Sequence, residues 1–130
     1  MKPELLYLAL SAAFTGLLWV PYVLDRIRVR GLIDSVGYPD NPRPESPWAQ
    51  RLMSAHYNAV ENLVVFAALV LVAQDADIDS PAIGAAAMVY FWARVVHAVV
   101  YTARLPWLRT LSFAVGWFAC AVIAWKILVG

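Results

Sequence analysis

A chain of 130 residues has room for one domain, predicted here to span residues 1–130, and 62% of its residues are hydrophobic against 15% charged. This composition excludes a disordered chain, and a body this small cannot bury so many apolar side chains, so the excess must face lipid. Ten Lys and Arg against nine Asp and Glu leave no basic surface for nucleic acid, and a single cysteine excludes an intramolecular disulfide.

The first predicted element is a charge-free run from Leu5 to Leu24, which is long enough to cross a bilayer as a helix. A signal peptide is the competing interpretation. Glu4 spoils the positively charged start of such a peptide, and Arg26, Arg28 and Arg30 follow the run as a stop-transfer flank does. These arginines are expected to fix topology and to contact lipid head groups.

Residues 31–50 differ in kind, because glycines and prolines punctuate them and predict no regular element. Three further apolar spans follow, at about Leu52–Ala73, Ala82–Ala103 and Leu108–Val129. The connections between them are short, with Pro81 suited to open the third span, so neighbouring spans should be antiparallel. The sequence predicts an all-α, integral membrane four-helix bundle.

The arginines of the loops are distributed unevenly. The loop after the first span and the turn after the third carry most of them, and antiparallel spans put both on one side. Loops rich in Lys and Arg stay in the cytoplasm, so both termini are predicted outside the inner (cell) membrane.

Polar residues of the second and third spans form two stripes. Arg51, Ser54, Asn58 and Glu61 follow a 3-4-3 spacing, and Arg94, His97, Tyr101 and Arg104 repeat it. Both stripes lie in the half of their span nearest the arginine-rich loops, where the fourth span begins with Arg109. Charged groups at membrane depth are costly unless they are paired or hydrated. The stripes therefore predict either an ion-pair network or a polar cavity.

Two interpretations of these stripes stay open. An ion pair between Glu61 and Arg94 could join the second and third spans without any ligand. It would leave Asn58, His97 and Tyr101 without a reason to gather at one level. The surplus of arginine favours a cationic pocket for an anionic, peptide-like ligand. No metal is expected, because His56 and His97 lack the spacing of a metal motif, and Cys120 is interpreted as core.

The chain resembles the MAPEG family, the membrane-associated proteins in eicosanoid and glutathione metabolism. The segment from Arg51 through Asn58 to Glu61 is similar to the pattern of the family's second helix. The segment Arg94-Val-Val-His97-Ala-Val-Val-Tyr101 resembles its third, and Arg109 resembles the arginine that opens its fourth.

The resemblance implies a homotrimer, embedded among membrane lipids, that holds glutathione as co-substrate between subunits at the cytoplasmic face. Carried over by position, the residues contacting glutathione would be Arg51, Asn58, Glu61, Arg94, His97 and Tyr101, with Arg109 as the catalytic residue near the sulfur. A nearby guanidinium favours the thiolate, which is the nucleophile. Ser54, Asn62 and Phe113 depart from the family pattern, and at Ser54 an arginine charge is lost.

Three functions follow as hypotheses. The first is a glutathione-dependent transferase or peroxidase acting on lipophilic electrophiles. The second is a non-catalytic protein of the same fold whose pocket binds a lipid head group or another anion, which Ser54 favours. The third is a proton-coupled exporter using Glu61, although such exporters usually carry their essential acid in the first span, which has none.

Overall fold

The computed structural model describes all 130 residues, and every regular element in it is helical. The helices are α1 (Pro3–Leu17), α2 (Trp19–Arg30), α3 (Leu32–Val36), α4 (Pro47–Asp75), α5 (Pro81–Thr102) and α6 (Pro106–Leu128). Four stretches are long and apolar enough to cross a membrane: Pro3–Arg30, Pro47–Asp75, Pro81–Thr102 and Pro106–Leu128. The predicted all-α, four-span architecture is confirmed.

The first span is one helical stretch with a single irregular residue. Leu18 separates α1 from α2, and its amide bonds to the Thr15 carbonyl three residues back. Pro21 has no amide hydrogen, so the carbonyl of Leu17 loses its helical donor at this point. The run from Leu5 to Leu24 was predicted as one unbroken helix, and Pro21, three residues after Leu18, accounts for the break.

A proline begins each of the four spans, and a non-glycine residue with positive φ follows α4 and α5. Pro3, Pro47, Pro81 and Pro106 each stand in the first turn, where the missing amide costs nothing. Arg104 adopts a φ of 64° after α5, and the amide of Leu105 bonds back to the Val100 carbonyl. Asp77 ends α4 in the same way, with a φ of 53°.

Helix α5 lies at the centre of the bundle and contacts α1, α4 and α6. In the most apolar stretch of α5, 56% of the residues are buried, against 22% in the corresponding stretch of each other span. Gly116 of α6 faces α5 at close range, and a Cβ there would lie in ordinary contact with the Arg94 side chain at 3.6 Å. Phe66 and Tyr90 stack with ring centroids 3.8 Å apart and join α4 to α5. The outer faces of the other spans remain exposed and apolar, as a membrane bundle requires.

Residues 31–46 form a strap that runs from α2 back to the start of α4. The expectation that residues 31–50 hold no regular element is wrong, because α3 occupies Leu32–Val36 and α4 already begins at Pro47. The strap and the α5–α6 turn share one end of the bundle, called here the arginine-rich end.

Ion pairs and several hydrogen bonds hold the strap against α2. Arg26 binds Glu45 at 2.7 Å, and Arg30 donates to the Arg43 carbonyl at 2.6 Å. The Asp25 carboxylate accepts hydrogen bonds from Arg28 and from the Ser46 amide, at 2.8 and 2.7 Å. Each of Arg26, Arg28 and Arg30 thus has a partner within the chain, and their expected role in topology and contact with lipid head groups stays a prediction.

Acidification is expected to loosen the strap through Glu45. Burial alone would raise the pKa of Glu45, but hydrogen bonding to Arg26 and the charges of Arg30 and Arg26 hold this pKa below the ordinary value of a glutamate carboxyl. Because the folded-state pKa is depressed, the ion pairs of Glu45 stabilise the strap above the ordinary pKa of glutamate, and this stabilisation is lost as the pH falls through the lower folded-state pKa. Hydrogen exchange of residues 31–46, corrected for intrinsic rates, should rise over that acid range.

A matched pair of variants isolates this carboxylate. Glu45→Gln should show fast exchange of the strap already at neutral pH, whereas Asp40→Asn, on the same strap and without an ion pair, should behave as wild type. If Glu45→Gln leaves the acid-induced rise unchanged, Glu45 is not the group that fastens the strap.

Candidate functional site

A cavity of about 580 Å³ opens between α4, α5 and α6 at the arginine-rich end. Its walls come from the first turns of α4 and α6 and from the last turn of α5, because these three helix ends meet there. The lining residues are Pro47, Gln50, Arg51, Ser54, Tyr101, Arg104, Leu105, Pro106 and Arg109. Three of the predicted site residues, Arg51, Tyr101 and Arg109, thus lie around one space.

The cavity is strongly cationic. Three guanidinium side chains line it, and none of its nine lining residues is acidic. The Nε of Arg51 donates to the Thr102 carbonyl at 2.9 Å, so this arginine is tied to the end of α5. The guanidinium of Arg109 lies over the Tyr101 ring, 4.9 Å from its centroid. Such a space suits a ligand carrying carboxylate or thiolate charge.

A second polar layer lies deeper, between α4 and α5. Arg94 is 5% exposed, and its Nη2 donates to Asn58 Oδ1 at 2.6 Å. The Nε of Arg94 is buried and has no partner in the chain. The side-chain amide of Asn62, one turn further along α4, donates to the backbone carbonyl of Asn58 at 2.8 Å. The guanidinium is therefore buried in the bundle without a carboxylate to neutralise it.

Glu61 stands apart from this layer. Its side chain is exposed on α4 and forms neither a hydrogen bond nor an ion pair. The alternative in which Glu61 pairs with Arg94 is wrong for the single chain, because Arg94 turns to Asn58 instead.

His97 lies between the deep layer and the cavity. It is 2% exposed, and its ring meets the Tyr101 ring edge-on at 5.5 Å and the Phe113 ring at 6.3 Å. Its Nδ1 is buried without a partner. The imidazole thus packs behind the tyrosine that forms the wall of the cavity.

The sequence did not predict two of the residues that line the cavity. Arg104 was included in the stripe of the third span but interpreted as reaching lipid head groups, whereas it lines the cavity. Gln50 was not considered, although it precedes Ser54 by four residues and so shares its helix face. The amide of Gln50 also donates to the Glu45 carbonyl at 2.7 Å, which links the strap to the cavity wall.

Cys120 is buried in α6, as the sequence interpretation expected.

Comparison with known proteins gave one match. The family model described as MAPEG family matches residues 5–129, which is nearly the whole chain. No curated protein and no solved structure matched.

Proposed function

The chain belongs to the MAPEG family, and on this premise we propose that it is a membrane enzyme that transfers glutathione to lipophilic electrophiles or reduces lipid hydroperoxides with it. Members of the family include glutathione transferases and peroxidases and generally use glutathione. The observation that carries the proposal is the cavity with three arginines and no acid at the arginine-rich end.

Glutathione matches this cavity by charge. It carries two carboxylates, one ammonium and a thiol, so a site rich in arginine and poor in acids can hold its anionic groups. In the proposed complex Arg51 pairs with a carboxylate at the cavity mouth, and Asn58, Arg94 and His97 form the deep wall. Among the proposed contact residues, Glu61 is the one acid, and its unpaired carboxylate is suited to bind the ammonium of glutathione.

Arg109 is the proposed catalytic residue. A guanidinium beside the sulfur lowers the free energy of the thiolate relative to the thiol. The thiolate then attacks an electrophilic carbon, a carbon–sulfur bond forms, and the leaving group departs with its electron pair. With a hydroperoxide, two glutathione molecules are oxidised to the disulfide while the peroxide is reduced to alcohol and water.

The assembly and orientation belong to the same proposal. MAPEG members are generally trimers, and the exposed Glu61 at membrane depth is a group that a neighbouring subunit or its ligand would cover. We place the arginine-rich end in the cytoplasm, where glutathione is available, with both termini outside the inner membrane. The apolar substrate would enter from the bilayer.

The direct test is an activity screen of the purified protein in detergent. Glutathione is combined with a model aryl halide in one arm and with a lipid hydroperoxide in the other. Turnover in either arm above the uncatalysed rate is the expected result, and the arm that responds separates transferase from peroxidase. Absence of turnover in both arms would overturn the enzymatic proposal.

A non-catalytic protein of the same fold remains the second candidate, because Ser54 stands in the cavity wall where a further arginine would strengthen anion binding. In that case the cavity would bind a lipid head group. Thermal stabilisation by an anionic phospholipid, with none by millimolar glutathione, would favour this candidate.

The Tyr101 ring should matter more than its hydroxyl for the position of Arg109. Tyr101→Phe keeps the stacked ring and should retain turnover within about twofold, whereas Tyr101→Leu removes a cation–π contact of about 0.5–1 kcal/mol and should slow it about two- to fivefold. Steady-state kinetics of the two variants check this. Equal losses in both would show that the hydroxyl, rather than the ring, makes the contact that matters.

A further inference from the structure

A second cavity, of about 440 Å³, lies at the end of the bundle opposite the arginine-rich end. It forms where α1 begins and where the turn after α4 leads into α5, so it sits at the level where two spans meet the bilayer surface. The lining residues used below are Lys2, Glu4, Tyr7, Asp79, Ser80 and Met88. None of these residues takes part in the proposed glutathione chemistry.

Glu4 is the unusual group in this cavity. Its side chain is on the first turn of an apolar span, the residue is 4% exposed, and its carboxylate forms no hydrogen bond and no ion pair. Gly84 of α5 lets the start of α1 approach closely, since a Cβ at that glycine would lie 3.2 Å from the Pro3 Cβ, and Glu4 Oε2 lies beside the same position at 3.5 Å. The nearby starts of α1 and α5 supply only partial positive charge to this unpaired carboxylate, which faces the cavity. A cation supplied from outside the chain would complete the site.

The charges around Glu4 favour an organic ammonium over a metal ion. Glu4 and Asp79 contribute two carboxylates, and Lys2 contributes one ammonium that forms no ion pair with either. No group of three or more His, Cys, Asp and Glu side chains that could hold a metal ion occurs in the structure. Calcium and magnesium require more oxygen ligands than these two carboxylates supply. A primary ammonium, with three N–H donors, fits two carboxylates directly.

The remaining walls indicate that the ammonium belongs to a lipid. Tyr7 and Met88 line the cavity from further along α1 and α5, toward the middle of these spans, and Met88 is 42% exposed. Lys2 and the Ser80 hydroxyl offer donors to a phosphate at the same level. Tyr7 is the only aromatic residue in the lining, so there is no aromatic cage of the kind that quaternary ammonium ligands use.

We propose that this cavity binds a phospholipid with a primary ammonium head group, phosphatidylethanolamine, through Glu4 and Asp79. The ammonium lies between the two carboxylates, the phosphate faces Lys2 and Ser80, and an acyl chain follows the exposed face beside Met88. The site thereby distinguishes phosphatidylethanolamine from phosphatidylcholine by the N–H donors that the latter lacks.

Lipid titration of the purified wild-type protein, followed by native mass spectrometry, tests the recognition without any variant. Phosphatidylethanolamine, its mono- and dimethylated forms and phosphatidylcholine are compared at equal acyl composition. We expect affinity to fall as methyl groups replace N–H donors, by about tenfold over the series. Equal affinity for all four lipids would overturn the proposal. Soluble phosphoethanolamine binding as tightly as the lipid would overturn the assignment to a lipid.

Two variants with the same charge change locate the site. Glu4→Gln should weaken phosphatidylethanolamine binding about tenfold and abolish the preference over phosphatidylcholine. Asp77→Asn removes a carboxylate from the same turn region outside the cavity and should leave binding unchanged, since asparagine tolerates the positive φ found there. Any glutathione-dependent activity should be unaffected by Glu4→Gln. Retained lipid preference in a folded Glu4→Gln protein would contradict the assignment, and Asp79→Asn provides the same test should Glu4→Gln fail to fold.

Discussion

Arg109→Ala is expected to reduce glutathione-dependent turnover about 100-fold or more while the protein remains folded. The side chain is exposed in the cavity, forms no ion pair, and contacts the Tyr101 ring, so its removal leaves no buried group without a partner. Its proposed contribution is to the charge on the sulfur, and removing one such stabilising group from an active site typically costs about two to three orders of magnitude. Turnover with the better of the two substrates and thermal unfolding of the same preparation are the measurements.

The control for Arg109→Ala is the substitution of another arginine that lies at the same end of the bundle but outside the cavity. Arg43 lies on the strap, and only its backbone carbonyl is used by a neighbour. Arg43→Ala should keep wild-type turnover. If the two variants lose activity equally, the general positive charge of this end matters and Arg109 has no specific role. If Arg109→Ala keeps full activity, Arg109 is not catalytic.

The second large effect concerns the buried pair of Arg94 and Asn58. Asn58→Leu removes the only hydrogen-bond partner of the Arg94 guanidinium and should destabilise the protein by about 2–3 kcal/mol. The double variant Arg94→Met and Asn58→Leu replaces both polar groups by apolar ones of similar size, which is often neutral or stabilising. We therefore expect it to unfold at or above the temperature of Asn58→Leu, yet to lose glutathione binding.

These variants separate a ligand-binding role from a structural one. Asn62→Leu is the control, because the Asn62 amide donates to Asn58 and not to Arg94, and it should cost about 1 kcal/mol. A folded double variant that binds glutathione as tightly as wild type would exclude Arg94 and Asn58 from the site. A double variant less stable than Asn58→Leu would show that the pair serves mainly to hold α4 against α5.

The positions of the spans were predictable because hydropathy alone determines which segments can enter lipid. The residues at which the spans end were harder to predict. The chain uses Arg104 and Asp77, rather than glycine, in the left-handed positions that end α5 and α4, so no glycine marks these ends. The short helix α3 also escaped prediction, since its five residues stand between two glycines.

The candidate site was predictable only near the helix ends. Arg51, Tyr101 and Arg109 line one cavity because antiparallel neighbours bring the start of one span beside the end of another. A 3-4-3 stripe covers ten residues, or about 1000° of helical rotation, which is about 80° short of three full turns. Glu61 therefore points to a different side of α4 from Arg51, and one chain alone does not bring them together.

Calorimetric titration of the detergent-purified protein with glutathione tests the central claim most directly, because it requires neither an electrophile nor a variant. We expect saturable heat from binding and a rise in the unfolding temperature with increasing glutathione. No heat and no thermal shift at millimolar glutathione would contradict the claim that the cationic cavity is a glutathione site.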